Sequence, residues 1–213
     1  MELKPGSIIK PLNGSSSRGV CYIFDSDKIQ YVKTGETYSS LQQLPETIRS
    51  IKGPWQSEQL ILDEDGGPAN DFKVYSYYGQ IGAILEIKRT KPKISYFWYY
   101  PDGTPIEQQV GHKSNPGIGK GFSTDLITYA KKISIATPSP FLRIDFFKGK
   151  DDFYLGEITP HPGRYSGGYS PVIDKYLGNF FLDARARLYT DLLNKKEFTE
   201  YFSTYPALRK PKK

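Results

Sequence analysis

Apolar and polar positions in this chain alternate in short runs far more often than they repeat at helical spacing, which predicts a molecule built mainly of strands. Residues 7–11, 20–24, 29–32 and 55–62 read as strands, with 20–24 and 29–32 forming a hairpin turned at 25–28. The clearest hairpin joins residues 71–78 to 81–89 through Gly79-Gln80. Residues 94–100 form a further strand closed by Pro101-Asp102-Gly103, and residues 141–147 pair with 153–159. Three segments carry helical signals. Residues 41–51 predict a short helix that stops before Gly53-Pro54. Ser123 stands as the N-cap of a helix reaching about Ala136, with Leu126, Ile127, Ala130 and Ile133 on one face. A last helix is expected from about Phe180 to Asn194. The expected class is α+β, without internal repeats.

Composition narrows the function classes. Of 213 residues, 38% are hydrophobic and 24% charged, which excludes a disordered chain. No apolar run approaches the ~20 residues that span a bilayer, and the start lacks the layout of a signal peptide. Cys21 is the only cysteine, so an intrachain disulfide and a cysteine zinc site are excluded, and the expected location is the cytoplasm. The net charge of +6 favours anionic partners, nucleotide phosphates among them. The 17 tyrosines and 12 phenylalanines could stack on bases, but most fall in alternating strand runs, which assigns them to packing rather than to a nucleic-acid surface.

The candidate chemistry concentrates in Arg143-Ile144-Asp145 and Gly156-Glu157-Ile158-Thr159-Pro160-His161-Pro162-Gly163. Side chains alternate along a strand, so Arg143 shares a face with Asp145, and Glu157 with Thr159. A hairpin turned about Asp151 sets Asp145 opposite Glu157. Facing carboxylates repel unless a cation lies between them, and hard oxygen ligands suit magnesium. A solvated hairpin with scattered charges is the competing reading, and the flanking FLRIDFF and FYLGEI runs argue against it. By the same parity Asp71 and Lys73 share a face, and a turn near Gln80 sets Arg89 opposite Asp71. An ordinary cross-strand ion pair is the alternative there.

The pattern RID…GEITPHPG resembles the metal-binding hairpin of the ATP-grasp superfamily. The resemblance implies that Asp145 and Glu157 hold magnesium on the ATP phosphates. Thr159 would be the third ligand, where the family usually has asparagine, and Arg143 would steady the acyl-phosphate and tetrahedral intermediates. Ile8-Ile9-Lys10-Pro11 resembles the family strand whose lysine contacts nucleotide. Residues 13–20, with Ser15, Ser16, Ser17 and Arg18, resemble the loop that closes over the phosphates. Residues 56–61 resemble the hinge strand that binds adenine through backbone groups, here about Glu58 and Ile61. Asp71 would hold the ribose, Lys73 and Arg89 phosphate, and His161 lies where the family contacts substrate.

Within the superfamily, the DFK, RID and GEIT motifs resemble TupA-like ATP-grasp proteins of teichuronopeptide and capsule biosynthesis. The likeness runs from about residue 7 to 194. It implies a small subdomain at 1–62 and a larger one at 63–213, with ATP between them. The implied activity is ATP- and magnesium-dependent carboxylate–amine ligation through an acyl phosphate. Only nine residues precede Lys10, where the family has an N-terminal domain, so a second copy or a partner protein is expected to complete the acceptor site. Two other readings stand beside this one: a degenerate relative that binds nucleotide or anionic glycan without catalysis, and a nucleic-acid-binding module.

Overall fold

The computed structural model describes residues 4–13, 17–88, 94–107, 110, 115, 117–162 and 169–204. They divide between Ala69 and Asn70 into two compact units.

The first unit holds β1 (Ser7–Pro11), β2 (Cys21–Asp25), β3 (Lys28–Tyr31), β4 (Thr37–Tyr38) and β5 (Trp55–Gln59), in the sheet order β4-β3-β2-β1-β5. Alternation gives this sheet two unlike faces. Ile9, Cys21, Ile23 and Ile29 are buried with Leu44 and Ile48. Ile8, Lys10, Tyr22, Gln30, Gln56 and Glu58 project from the other side, as their cross-strand pairing requires. The helix expected over 41–51 is broken into a 3-10 turn, Leu41–Gln43, and the four-residue α1 (Glu46–Arg49). Pro45 is the cause. It brings no N–H, and it forces Leu44 out of the helical region to φ −58° and ψ 147°.

The second unit is an antiparallel sheet with a helix on each face. It comprises β6 (Asn70–Tyr77), β7 (Gln80–Lys88), β8 (Ser95–Tyr99), β9 (Leu142–Lys148) and β10 (Phe153–Thr159), ordered β10-β9-β6-β7-β8. Leu126 and Ala130 of α2 (Thr124–Ala136) pack with Phe72, Val74, Ile84 and Ile144 on one face. Ile173, Leu177, Ala184 and Leu188 of α3 (Pro171–Leu193) pack with Tyr75, Tyr77 and Ala83 on the other. A short helix, α4 (Thr199–Thr204), follows. Two antiparallel sheets with flanking helices are the expected α+β architecture. α3 begins well before the expected Phe180, because Ser170 caps it through the Ile173 amide and Pro171 occupies its first turn.

The β6–β7 hairpin turns one residue earlier than its composition suggests. Tyr78 (φ 45°) and Gly79 (φ 85°) form a two-residue turn with both central φ angles positive, and a bulge between Tyr75 and Ser76 adjusts the register. Asp71 therefore lies opposite Ile87 rather than Arg89, and Arg89 falls outside the described residues. Tyr78 is a bulky residue at positive φ, and α3 holds it there. Arg187 donates to the Tyr77 and Tyr78 carbonyls, and the Tyr78 hydroxyl donates to Asp191 at 2.6 Å.

Lys196, then Tyr78, hydrogen-bond the Asp191 carboxylate and hold it below its ordinary range. A depressed folded-state value means that its contribution is present above the unfolded value, about 3.9, and is lost as pH falls through the folded one. Asp191→Asn should therefore lower the melting temperature at neutral pH, and the two proteins should converge in acid. Parallel melting curves at every pH would exclude this clamp. Among the described residues no helix is long and apolar enough to cross a membrane.

Candidate functional site

The face of the large sheet that carries α3 continues beyond the helix contacts as ordered cross-strand rows. One row runs Glu157–Asp145–Lys73–Leu85–Trp98 from β10 to β8. The next on one side runs Tyr154–Phe147–Asp71–Ile87–Tyr96, and on the other side Thr159–Arg143–Tyr75–Ala83. Arg143, Asp145, Glu157, Thr159, Lys73 and Asp71 thus share one patch of one face.

The Asp145 carboxylate is the hub. Arg143 grips it bidentately, Nε to Oδ1 at 2.7 Å and Nη2 to Oδ2 at 3.1 Å, and Lys73 donates to Oδ2 from the facing strand. Arg143 Nη2 also reaches Thr159 Oγ1 at 3.2 Å and approaches Glu157 Oε2 at 3.7 Å, and Nη1 reaches the Pro162 carbonyl at 3.4 Å. The side chain of Asp145 is 9% exposed, those of Arg143 and Lys73 are 14% and 22%, and that of Glu157 is 67%. A nearly buried acid is therefore neutralised by two cations, while its partner acid faces solvent.

A bulge in β10 makes this pairing possible. Leu155 pairs with Phe146 and Glu157 with Asp145, so Gly156 is an extra residue. Without that extra residue Glu157 would pair with Ile144 and point to the α2 face. A Cβ at Gly156 would lie 2.6 Å from the Phe147 ring and 3.3 Å from the Asp145 carbonyl oxygen, so only glycine fits without displacement.

The donor set fits magnesium. Among the described residues no three His, Cys, Asp or Glu side chains gather around one point. A cation here would take oxygens from Asp145 and Glu157 and complete its shell with phosphate and water, which is the usual habit of magnesium. Thr159 adds one neutral oxygen on the same face.

The first unit places its residues as follows. Lys10 and Glu58 share the face opposite α1 and form an ion pair at 2.7 Å. The Glu58 backbone lies in the β1–β5 ladder opposite Ile8, so the strand offers its side chain rather than its backbone. The Ile61 carbonyl accepts from the Ala69 amide at 3.0 Å. Ser17 has φ 59°, and Arg18 is exposed. Ser15 and Ser16 lie outside the described residues, as does His112. His161 is exposed just past β10.

Glu86 is a functional-looking acid whose role the sequence hides. It is wholly buried on the α2 face, where Asn70 Nδ2 donates to it at 2.9 Å and the Tyr99 hydroxyl at 3.0 Å. The backbone amides of Lys120 and Gly121 donate at 3.0 and 3.1 Å, so Glu86 anchors the segment leading into α2. The available signal was a lone acid inside an apolar run, Ile81 to Ile87, where one exposed face should have carried several polar residues.

The sequence model of the TupA-like ATP-grasp family matches residues 1–182. The chain belongs to this family. Solved structures similar to this TupA-like protein include the ATP-grasp ligase PsnB complexed with minimal precursor, Mg and ADP. That pair is 12% identical with a TM-score of 0.40, over 85% of this chain and 46% of PsnB. D-alanine–D-alanine ligase from Bacillus anthracis complexed with ATP is 14% identical, with a TM-score of 0.45 over 90% of this chain and 54% of that one. The Helicobacter pylori D-alanine–D-alanine ligase is 15% identical, with a TM-score of 0.40 over 85% and 50%. The TupA-like chain spans about half the length of these structures. No curated protein sequence matches it.

Proposed function

We propose that this chain binds ATP with magnesium and is the catalytic core of a carboxylate–amine ligase. The observation that carries the proposal is the row Glu157–Asp145–Lys73 with Arg143 beside it, two facing carboxylates flanked by cations on one patch of a sheet, in a chain of the TupA-like ATP-grasp family. Asp145 and Glu157 would hold magnesium, with Thr159 as a third oxygen. Bound there, the ion supplies charge neutralisation as the γ-phosphoryl moves to a carboxylate. Lys73 lies within reach of both Asp145 and any phosphate drawn to the metal. Lys10 and the loop containing Ser15, Ser16 and Ser17 bind phosphate, as does Arg89, whereas Arg18 lines a separate cavity with Lys52. Asp71 holds the ribose, and Glu58 and Ile61 border the adenine. Arg143 steadies the oxyanion of the acyl phosphate and of its adduct with the amine. His161 meets substrate at the exit of the metal strand.

The proposal predicts ADP formation that depends on magnesium, a carboxylate and an amine. Lys10→Ala should raise the apparent dissociation constant for ATP about tenfold, the value of one charge-assisted phosphate contact, whereas Lys28→Ala should change it little. Calorimetric titration of both variants checks this, and equal effects would show bulk charge rather than a site. Thr159 favours a second reading, because its single neutral oxygen already accepts from Arg143. Magnesium-dependent ATP binding without ADP release under any acceptor would establish that reading, a nucleotide binder without turnover.

A further inference from the structure

The first unit contains a polar cavity of about 380 Å³ that the reaction proposed above does not use. Its lining is Pro11, Asn13 and Arg18 on one side and the stretch from Ser50 to Pro54 on the other. Pro11 pairs with Trp55 on the buried side of β1, together with Ile9, whereas Lys10 projects from the opposite side. The cavity therefore lies on the α1 side of the sheet, away from the face that carries Lys10 and Glu58.

Its walls are fixed. The Leu12 amide donates to the Pro54 carbonyl at 2.9 Å. Gly19 packs so closely that an added Cβ would sit 2.8 Å from Pro11 Cγ and 2.9 Å from Ile51 Cδ1. This contact seats the Gly19 backbone, one residue after Arg18, against Ile51, one residue before Lys52. Among the described residues none of the lining is acidic, and neither Arg18 nor Lys52 has a carboxylate partner. Two like charges sharing one concavity repel each other, and an anion between them reverses the sign of that interaction. The Ser50 hydroxyl and the Asn13 amide add neutral donors, and the volume lies within the range of small-molecule sites.

We infer that this cavity is a second anion site, separate from the nucleotide face, and that it takes a phosphate group. Arg18 and Lys52 supply the charge, and Ser50 and Asn13 bond the remaining phosphate oxygens. The phosphate can arrive as an inorganic anion or as the ester of a small molecule, and the two sources present the same oxygens to these donors.

The test is calorimetric titration of the full chain with inorganic pyrophosphate and, separately, with glucose 1-phosphate. Lys52→Glu should weaken binding of the preferred probe at least about tenfold, as loss and reversal of one charge-assisted contact requires. Ser50→Ala should weaken it less and without changing net charge, and Lys28→Glu should leave it within about twofold because that charge is elsewhere on the unit. A saturating non-hydrolysable ATP analogue with magnesium should not displace the probe. Whichever probe binds more tightly names the source. Binding of neither probe, equal weakening by Lys28→Glu and Lys52→Glu, or displacement by the ATP analogue would overturn the inference. Because the probes need no ATP, failure of ATP to bind would count against the ligase reading alone.

Discussion

Glu157→Gln should abolish most of the magnesium-dependent stabilisation by ATP while leaving the ligand-free protein almost as stable as before. The carboxylate is 67% exposed, and its nearest cation is 3.7 Å away, so its removal costs the fold little. Asp145→Asn should abolish the same stabilisation and also destabilise the free protein. Its side chain is nearly buried and pairs with both Arg143 and Lys73, so the substitution strands two cations. Removing one partner of such a cluster costs about 3 kcal/mol, which for a chain of this size lowers the melting temperature by roughly 6–12 °C. At a ligand concentration about a hundredfold above the dissociation constant, the wild type gains about 2.7 kcal/mol, so the loss is readily measured. Melting curves with ATP, with and without magnesium, distinguish the two roles. If both variants keep the magnesium-dependent shift, the metal site lies elsewhere.

The contrast between these carboxylates shows what the sequence could and could not convey. Strand parity placed Arg143 with Asp145 and Glu157 with Thr159, and each pair does share a face. The register between the strands followed from a turn centred at Asp151. The turn is in fact closed by the Gly149 amide on the Asp152 carbonyl, which centres it half a residue earlier. The extra residue at Gly156 restores the pairing, so the expected register holds for a reason the alternation did not contain. At β6–β7 the bulge recovers only one residue of the shift that the earlier turn introduces, so Asp71 faces Ile87 rather than the expected Arg89. The family position of Lys73 implies a phosphate ligand, but only the cross-strand register shows it on Asp145. Glu86 illustrates the opposite limit. Its burial depends on Asn70, Tyr99 and the backbone amides of Lys120 and Gly121, distant in sequence, and no local pattern reports such convergence.

Gly156 is where fold and site meet most tightly, and its substitution should separate them. Gly156→Val places branched carbon where the Phe147 ring and the Asp145 carbonyl already lie, 2.6 and 3.3 Å from the first added atom. The ring can swing away or the bulge can be lost. Overpacking of this kind costs about 1–3 kcal/mol. Loss of the bulge costs more in function than in stability, because a one-residue slip carries Glu157 to the α2 face and leaves Asp145 without a facing carboxylate. The expected result is a loss of magnesium-dependent ATP binding of about tenfold or more, in a protein that still folds. Gly156→Ala should show the same effect in weaker form. Phe147→Ala in the same chain removes the obstructing ring and should restore much of the magnesium dependence without adding any ligand for the metal. That rescue is the decisive measurement, since a merely damaged sheet would be damaged further by losing an aromatic side chain. A double variant that binds no better than Gly156→Val alone would mean that the bulge does not aim Glu157, and that its pairing with Asp145 survives by some other restraint.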